Sequence, residues 1–82
     1  DVIGGWLQDN VMSQGGVITP VSELYGDYAA WCSNNGEFAI KRRAWVQEMR
    51  NHGYAESMND TGQQGITGLQ LRSSAMIQGL GY

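Results

Sequence analysis

Gly53 divides this 82-residue sequence into two parts that differ in hydrophobic periodicity. Upstream of it, apolar residues recur every three or four positions, as they do on one face of an amphipathic helix. Downstream, from Tyr54 to Met58, larger and smaller side chains alternate, which is typical of a strand. A chain of this length forms one domain, so helices followed by strands predict the α+β class.

Two helices are predicted in the first half of the chain. The first covers Val2–Val11, where apolar residues are three or four positions apart. The second opens with Thr19 as its N-cap and Pro20 at its first helical position, and it ends at residues 34–36. We expect a short strand at Val17 and Ile18 between the two helices because both residues are β-branched.

The third predicted helix lies within residues 39–54 and is terminated by Gly53 in the left-handed conformation. Trp45 and Met49 are four positions apart and should face the core, with Phe38 packed underneath. Four of the five basic residues lie in this segment, namely Lys41, Arg42, Arg43 and Arg50. An amphipathic helix with a cationic outer face is therefore expected.

The charge distribution favours contact between this helix and a polyanion. The segment holds four of the five basic and one of the eight acidic residues, so it carries +3 while the rest of the chain carries −6. Lys41–Arg43 open the helix, where cations cost a few tenths of a kcal/mol because the N-terminus is itself positive. A helix selected only for stability would carry acidic residues there. The alternative is an ordinary solvated helix face in a chain of net charge −3.

Other features of the sequence exclude several classes of protein. Cys32 is the only cysteine and lies on the core-facing stripe of the second helix, so no internal disulfide or multi-cysteine zinc site is possible. No apolar run is long enough for a membrane span, and no secretory signal is present, so we expect a soluble, cytoplasmic protein. No phosphate-binding loop or catalytic cluster is present, so the domain is predicted not to be an enzyme and to need no cofactor or metal.

The end of the chain predicts a β-hairpin followed by a tail. A returning strand is expected over residues 66–71, and the polar tip between the strands spans Asn59 to Gln64. Residues 1–72 would then form the domain and residues 73–82 the tail. The chain begins at Asp1 within a helical pattern, which suggests a domain cut from a larger protein.

Four segments resemble the C-terminal winged-helix domain of phage, plasmid and poxvirus-type primase-helicases of helicase superfamily 3. They are WLQDN, VSELYGDYAAWCSNNGE, AWVQEMRNHGY and GITGLQL. The resemblance extends from Trp6 to Leu71, and most of the matched positions are core positions. It departs from the family pattern at Ile66, where the last strand often begins with tryptophan, and in the hairpin tip, which has no basic residue.

The resemblance implies a winged helix-turn-helix fold, with three helices and the hairpin as the wing. In such a fold the third helix enters the DNA major groove and the wing lies along the backbone or minor groove. The domain would then tether the helicase motor to duplex DNA, with its parent subunits as further partners. The predicted DNA contacts are Lys41, Arg42, Arg43, Gln47, Arg50 and Asn51 on the third helix and Asn59 and Thr61 at the wing tip.

Alternatives to these assignments remain open from the sequence. Gln47 and Asn51 can read adenine edges, but such residues are also common on polar helix surfaces. The same fold can instead be a protein-interaction module that uses its acidic surface and Trp31 or the tail Met76–Tyr82. A free-standing transcription regulator is a third possibility, although no dimerisation helix is evident to space two half-sites.

Overall fold

A computed structural model of the protein describes residues 1–74, which form a small α+β domain. This confirms the predicted α+β class. The elements in chain order are α1 (Val2–Asn10), β1 (Val11–Pro20), α2 (Val21–Asn34), α3 (Arg42–Asn51), β2 (Glu56–Met58) and β3 (Gln64–Leu71), and residues 72–74 are again helical. The predicted tail contact at Met76–Tyr82 lies outside the described residues.

The three strands form one antiparallel sheet in the order β1-β3-β2. The first strand is much longer than the predicted pair Val17 and Ile18. It begins directly after α1, because Val11 is extended and buried opposite Leu71, so the prediction that Val11 ends the helix is wrong. Between Ser13 and Ile18 the register shifts at a bulge, and residues 14–17 have no register partner on β3.

The start of α2 also differs from the prediction. Thr19 is the last but one residue of β1, and its hydroxyl donates a buried hydrogen bond of 2.5 Å to the carbonyl oxygen of Leu69. Pro20 is therefore the N-cap, and the helix begins at Val21 without a side-chain cap. The pairing of β1 with β3 extends as far as Pro20 and Gly65. Because Thr19 is part of this pairing and its hydroxyl bonds to Leu69, that hydroxyl does not cap the helix as we expected.

The core lies between the helices and one face of the sheet. Its aromatic centre packs edge to face: the ring centroids of Trp6 and Trp45 are 5.9 Å apart, and those of Trp6 and Tyr28 are 5.7 Å apart. Trp45 and Met49 are fully buried, as the stripe on the third helix predicted, and so is Cys32. The inner and outer faces of α3 are therefore fixed.

The loop between α2 and α3 contradicts the prediction for Phe38, whose side chain is 96% exposed. The loop is anchored through the backbone of Ile40 instead. Its N–H donates to the Tyr28 hydroxyl at 3.1 Å, and its carbonyl oxygen accepts from the Tyr25 hydroxyl at 2.7 Å. These two bonds hold the backbone against the core and leave the Phe38 side chain outside.

Gly53 ends α3 as predicted, because it has the positive φ of 92° that a side chain would strain. Its N–H bonds to the carbonyl oxygen of Arg50, and the N–H of Tyr54 bonds to that of Met49, which is the Schellman arrangement. The chain then reverses into the predicted hairpin, although the first strand begins at Glu56 rather than Tyr54. Within residues 1–74, no helix is long and apolar enough to cross a membrane.

Candidate nucleic-acid interface

An open groove of about 960 Å³ lies between the outer face of α3 and the hairpin. We call it the basic groove, because four of the residues that line it are cationic. Its lining consists of Lys41, Arg42, Arg43, Ala44, Val46, Gln47 and Arg50 from the α3 segment, with Glu56 from β2 and Gln64 from β3. The sheet thus forms one wall and the third helix the other.

Lys41, Arg42 and Arg43 lie at the helix N-terminus and are exposed. Lys41 is the N-cap in an extended conformation, and the first turn of the helix has no acidic residue. Among the described residues, no carboxylate forms a salt bridge with any of these three cations. Their charges therefore add to the positive end of the helix dipole, as the sequence predicted.

Arg50 differs from these three cations because it is paired within the domain. Its guanidinium forms a salt bridge and a hydrogen bond with the carboxylate of Glu56, whose second oxygen accepts from the Gln64 side chain. Within residues 1–74, a carboxylate thus balances the charge of Arg50, whereas Lys41–Arg43 have no salt-bridge partner. The pairing of Arg50 with Glu56 ties the end of α3 to the hairpin.

Gln47 and Asn51, the two residues predicted to read base edges, differ in their position relative to the basic groove. Gln47 is exposed in the basic groove, and its side-chain oxygen lies 3.5 Å from an Arg50 nitrogen. Asn51 does not line the groove, and its amide nitrogen lies 3.5 Å from a carboxylate oxygen of Glu48. Gln47 is therefore the one of the two that can act together with the cations.

The two predicted wing residues hold the hairpin tip together. The Asn59 side-chain oxygen accepts from the backbone N–H of Thr61 at 3.1 Å, from the Thr61 hydroxyl at 2.9 Å and from the N–H of Gln63 at 2.8 Å. Asn59 thus forms an Asx turn, and neither it nor Thr61 lines the basic groove. Their hydrogen bonds account for the shape of the hairpin tip.

Sequence reasoning missed Val46, Glu56 and Gln64 as parts of the groove. Val46 follows Arg42 by four positions on the same face, so helical spacing could have placed it. The positions of Glu56 and Gln64 depend on how the hairpin folds back on α3, which no local pattern encodes. The one acidic residue within α3, Glu48, lines a different cleft.

The described part of the chain contains no group of three or more His, Cys, Asp and Glu side chains that could hold a metal ion. His52, the C-cap of α3, has its Nε2 atom 2.9 Å from a carboxylate oxygen of Asp1. No protein-family model matches the sequence, and no curated protein shows a significant match to it. The basic groove is therefore the feature of the domain that indicates its function.

Proposed function

We propose that this domain is a winged helix that binds duplex DNA by inserting α3 into the major groove. The element order α1-β1-α2-α3-β2-β3 and the sheet order β1-β3-β2 are compatible with that arrangement. In it, α3 would be the recognition helix and the β2–β3 hairpin the wing. The residues that enter the groove would come from the outer face of α3.

The observation that carries the proposal is the cluster of three cations at the start of α3, Lys41, Arg42 and Arg43, which have no salt-bridge partner among residues 1–74. They are exposed and face the basic groove, while the chain as a whole carries −3. A protein with this net charge gains nothing from long-range attraction to phosphate, so affinity must come from local contacts. Three adjacent cations next to a positive helix end supply such contacts.

DNA binding of this kind would tether the protein to DNA and would not itself catalyse a reaction. We propose that the domain is an accessory part of a phage or mobile-element primase-helicase in the cytoplasm, in keeping with the resemblance in its core segments. Three phosphate contacts give modest affinity, but several copies held in a ring of helicase subunits would bind together with much higher avidity. Detachment of one copy would then not release the motor.

The salt dependence of binding tests this proposal. Three neutralised phosphates predict a slope of about −2.7 for the logarithm of the binding constant against that of the salt concentration. Raising the salt from about 50 to 200 mM should therefore weaken binding roughly 40-fold. Fluorescence anisotropy with a labelled random-sequence duplex of about 20 base pairs measures both quantities directly.

Replacing single arginines by uncharged glutamine identifies the cations that contact phosphate. Arg42→Gln and Arg43→Gln should each reduce the magnitude of the slope by about 1. Arg72→Gln is the matched control, because Arg72 lines a separate cleft with Asp9 and Asp27 and should leave the slope unchanged. Equal effects of all three substitutions would mean that net charge, and not the basic groove, governs binding.

A second candidate function is protein interaction, and the exposed Phe38 favours it. Together with Ile40, Phe38 borders a cleft that also includes Val2 and Ile3. Trp31, which we considered for this role, is less suitable because it is half-buried and its indole N–H donates to Asp9 at 3.0 Å. Sedimentation of the Phe38→Ser variant with and without the parent helicase would separate this function from DNA binding.

A further inference from the structure

Arg50 and its partners form an ordered cluster at the end of the basic groove. The guanidinium is a planar group with two forks of N–H donors, one on its side and one at its end. The side fork, made by Nε and Nη2, meets the Oε1 atom of Glu56. The other nitrogen, Nη1, lies 3.5 Å from the side-chain oxygen of Gln47.

The exposures of the two partners show which part of the cluster faces outward. The Glu56 side chain is only 16% exposed, whereas the Arg50 side chain is 56% exposed. Glu56 is held from both sides, because its Oε2 atom accepts from the side chain of Gln64 on the neighbouring strand. The carboxylate is thus a fixed support beneath the guanidinium, and the outer edge of Arg50 stays accessible.

This pairing makes Arg50 a poor ligand for phosphate. A guanidinium whose charge is balanced by an adjacent carboxylate gives little net attraction to a second anion, and it displaces few counterions. Its remaining N–H donors keep their direction, however, because the side fork fixes the plane of the group. Oriented donors without net charge suit the recognition of a neutral base edge better than that of the DNA backbone.

We propose that Arg50 is a specificity-determining residue that reads guanine, and that Glu56 and Gln64 are positioning residues for it. This inference rests on the proposed binding of duplex DNA. The end fork of Arg50, made by Nη1 and Nη2, would donate to the O6 and N7 atoms of a guanine in the major groove, which is the arrangement that arginine commonly adopts there. Gln47, on the same face, would contact a neighbouring base.

This assignment gives different roles in DNA binding to the start and the end of α3. The three cations at the start of the helix fix the domain on the phosphates and carry no sequence information. Arg50 lies two turns later and adds preference for one base at one position. The alternative is that the pair of Arg50 and Glu56 only ties α3 to the hairpin, in which case base preference does not depend on it.

Selection from a random duplex pool, followed by sequencing, distinguishes the two roles. The wild-type domain should enrich guanine at one position, with a preference of about 5- to 150-fold over other bases. Arg50→Gln should abolish that preference while the salt slope stays at its wild-type value. Arg43→Gln is the control, because it should keep the guanine preference and reduce the slope.

Two further variants keep the test decisive. Arg50→Lys retains the positive charge but lacks the planar fork, so it should weaken the guanine preference even if Arg50→Gln fails to fold. Glu56→Gln should weaken the preference because the guanidinium loses its fixed plane. Circular dichroism of each variant establishes that it is folded before binding is compared.

The outcomes separate this inference from the function on which it rests. Binding of the pool without guanine enrichment, or with enrichment that survives both Arg50 substitutions, overturns the role of Arg50 alone. A salt slope reduced by Arg50→Gln as much as by Arg43→Gln also overturns it, because Arg50 would then contact phosphate. Failure of the wild-type domain to bind the pool at all overturns the proposed function as well.

Discussion

Replacing Gly65 by alanine should destabilise the domain by about 1–3 kcal/mol, because the added methyl group has no space. A Cβ atom at this position would lie 2.7 Å from the carbonyl oxygen of Thr19 and 2.7 Å from Cγ2 of Ile18. Ordinary contact begins at 3.4 Å, so the strands must separate by about 0.7 Å at a paired position of the sheet. Thr19 is buried and hydrogen-bonded to β3, so its backbone cannot move freely.

Gly26→Ala is the matched control for this substitution. Gly26 lies in the middle of α2, is exposed, and would place its Cβ atom in open space. The same chemical change should therefore stabilise the domain by about 0.5–1 kcal/mol, since glycine is a poor helix former. Gly65→Ala should thus lower the free energy of unfolding, whereas Gly26→Ala should raise it.

Thermal unfolding followed by circular dichroism measures both effects. For a domain of this size, 1 kcal/mol corresponds to a change in Tm of about 4–8 °C. Gly65→Ala should lower Tm and Gly26→Ala should raise it. A Gly65→Ala protein as stable as the wild type would refute the close approach of β1 and β3 at Gly65.

Three further predictions follow from the core and the exposed loop. Met49→Ala should cost about 2–5 kcal/mol of unfolding free energy in urea, because Met49 is fully buried; a cost below 1 kcal/mol would place it outside the core. Phe38→Ser should change stability by less than about 0.5 kcal/mol, because the ring is exposed; a larger loss in the same assay would contradict this. Burial raises the pKa of Tyr28 above its ordinary 10.0. The unfolded chain therefore loses the Tyr28 proton at a lower pH than the folded domain does. Stability is intact below about pH 10 and falls as the pH rises through the folded-state pKa. Urea unfolding from pH 8 to 11 should show this fall, and Tyr28→Phe should flatten it; an unchanged pH dependence in the variant would assign it to another group.

Local patterns in the sequence predicted what depends on local physics. The spacing of Trp45 and Met49 identified the buried face of α3, and a glycine at position 53 identified its end. Both features are read from neighbours on one helix, so no tertiary information is needed. The hairpin was predicted for the same reason.

The errors occurred where long-range contacts override local preference. Thr19 has the sequence context of an N-cap, but pairing of β1 with β3 places it in the sheet and gives its hydroxyl a partner fifty residues away. Val11 continues a helical pattern, yet its burial opposite Leu71 draws it into the strand. Phe38 is apolar but lies in a loop that is held by its backbone.

The candidate site was predicted in part for similar reasons. The cluster Lys41–Arg43 is contiguous in sequence, so its common location needs only a helix start. The pairing of Arg50 with Glu56 depends on the reversal of the chain at Gly53 and on the register of the hairpin. A sequence pattern can therefore locate the cations, but it cannot establish which of them remain free.

The affinity of the Arg42→Glu, Arg43→Glu double variant for duplex DNA tests the central claim most directly. Each phosphate contact contributes a factor of about 15 to the binding constant at about 50 mM salt, relative to 1 M, so loss of two contacts should weaken binding roughly 200-fold. In fluorescence anisotropy with the random-sequence duplex, Arg72→Glu should change affinity far less. Binding by the double variant with wild-type affinity would contradict the claim that the cations at the start of α3 hold DNA.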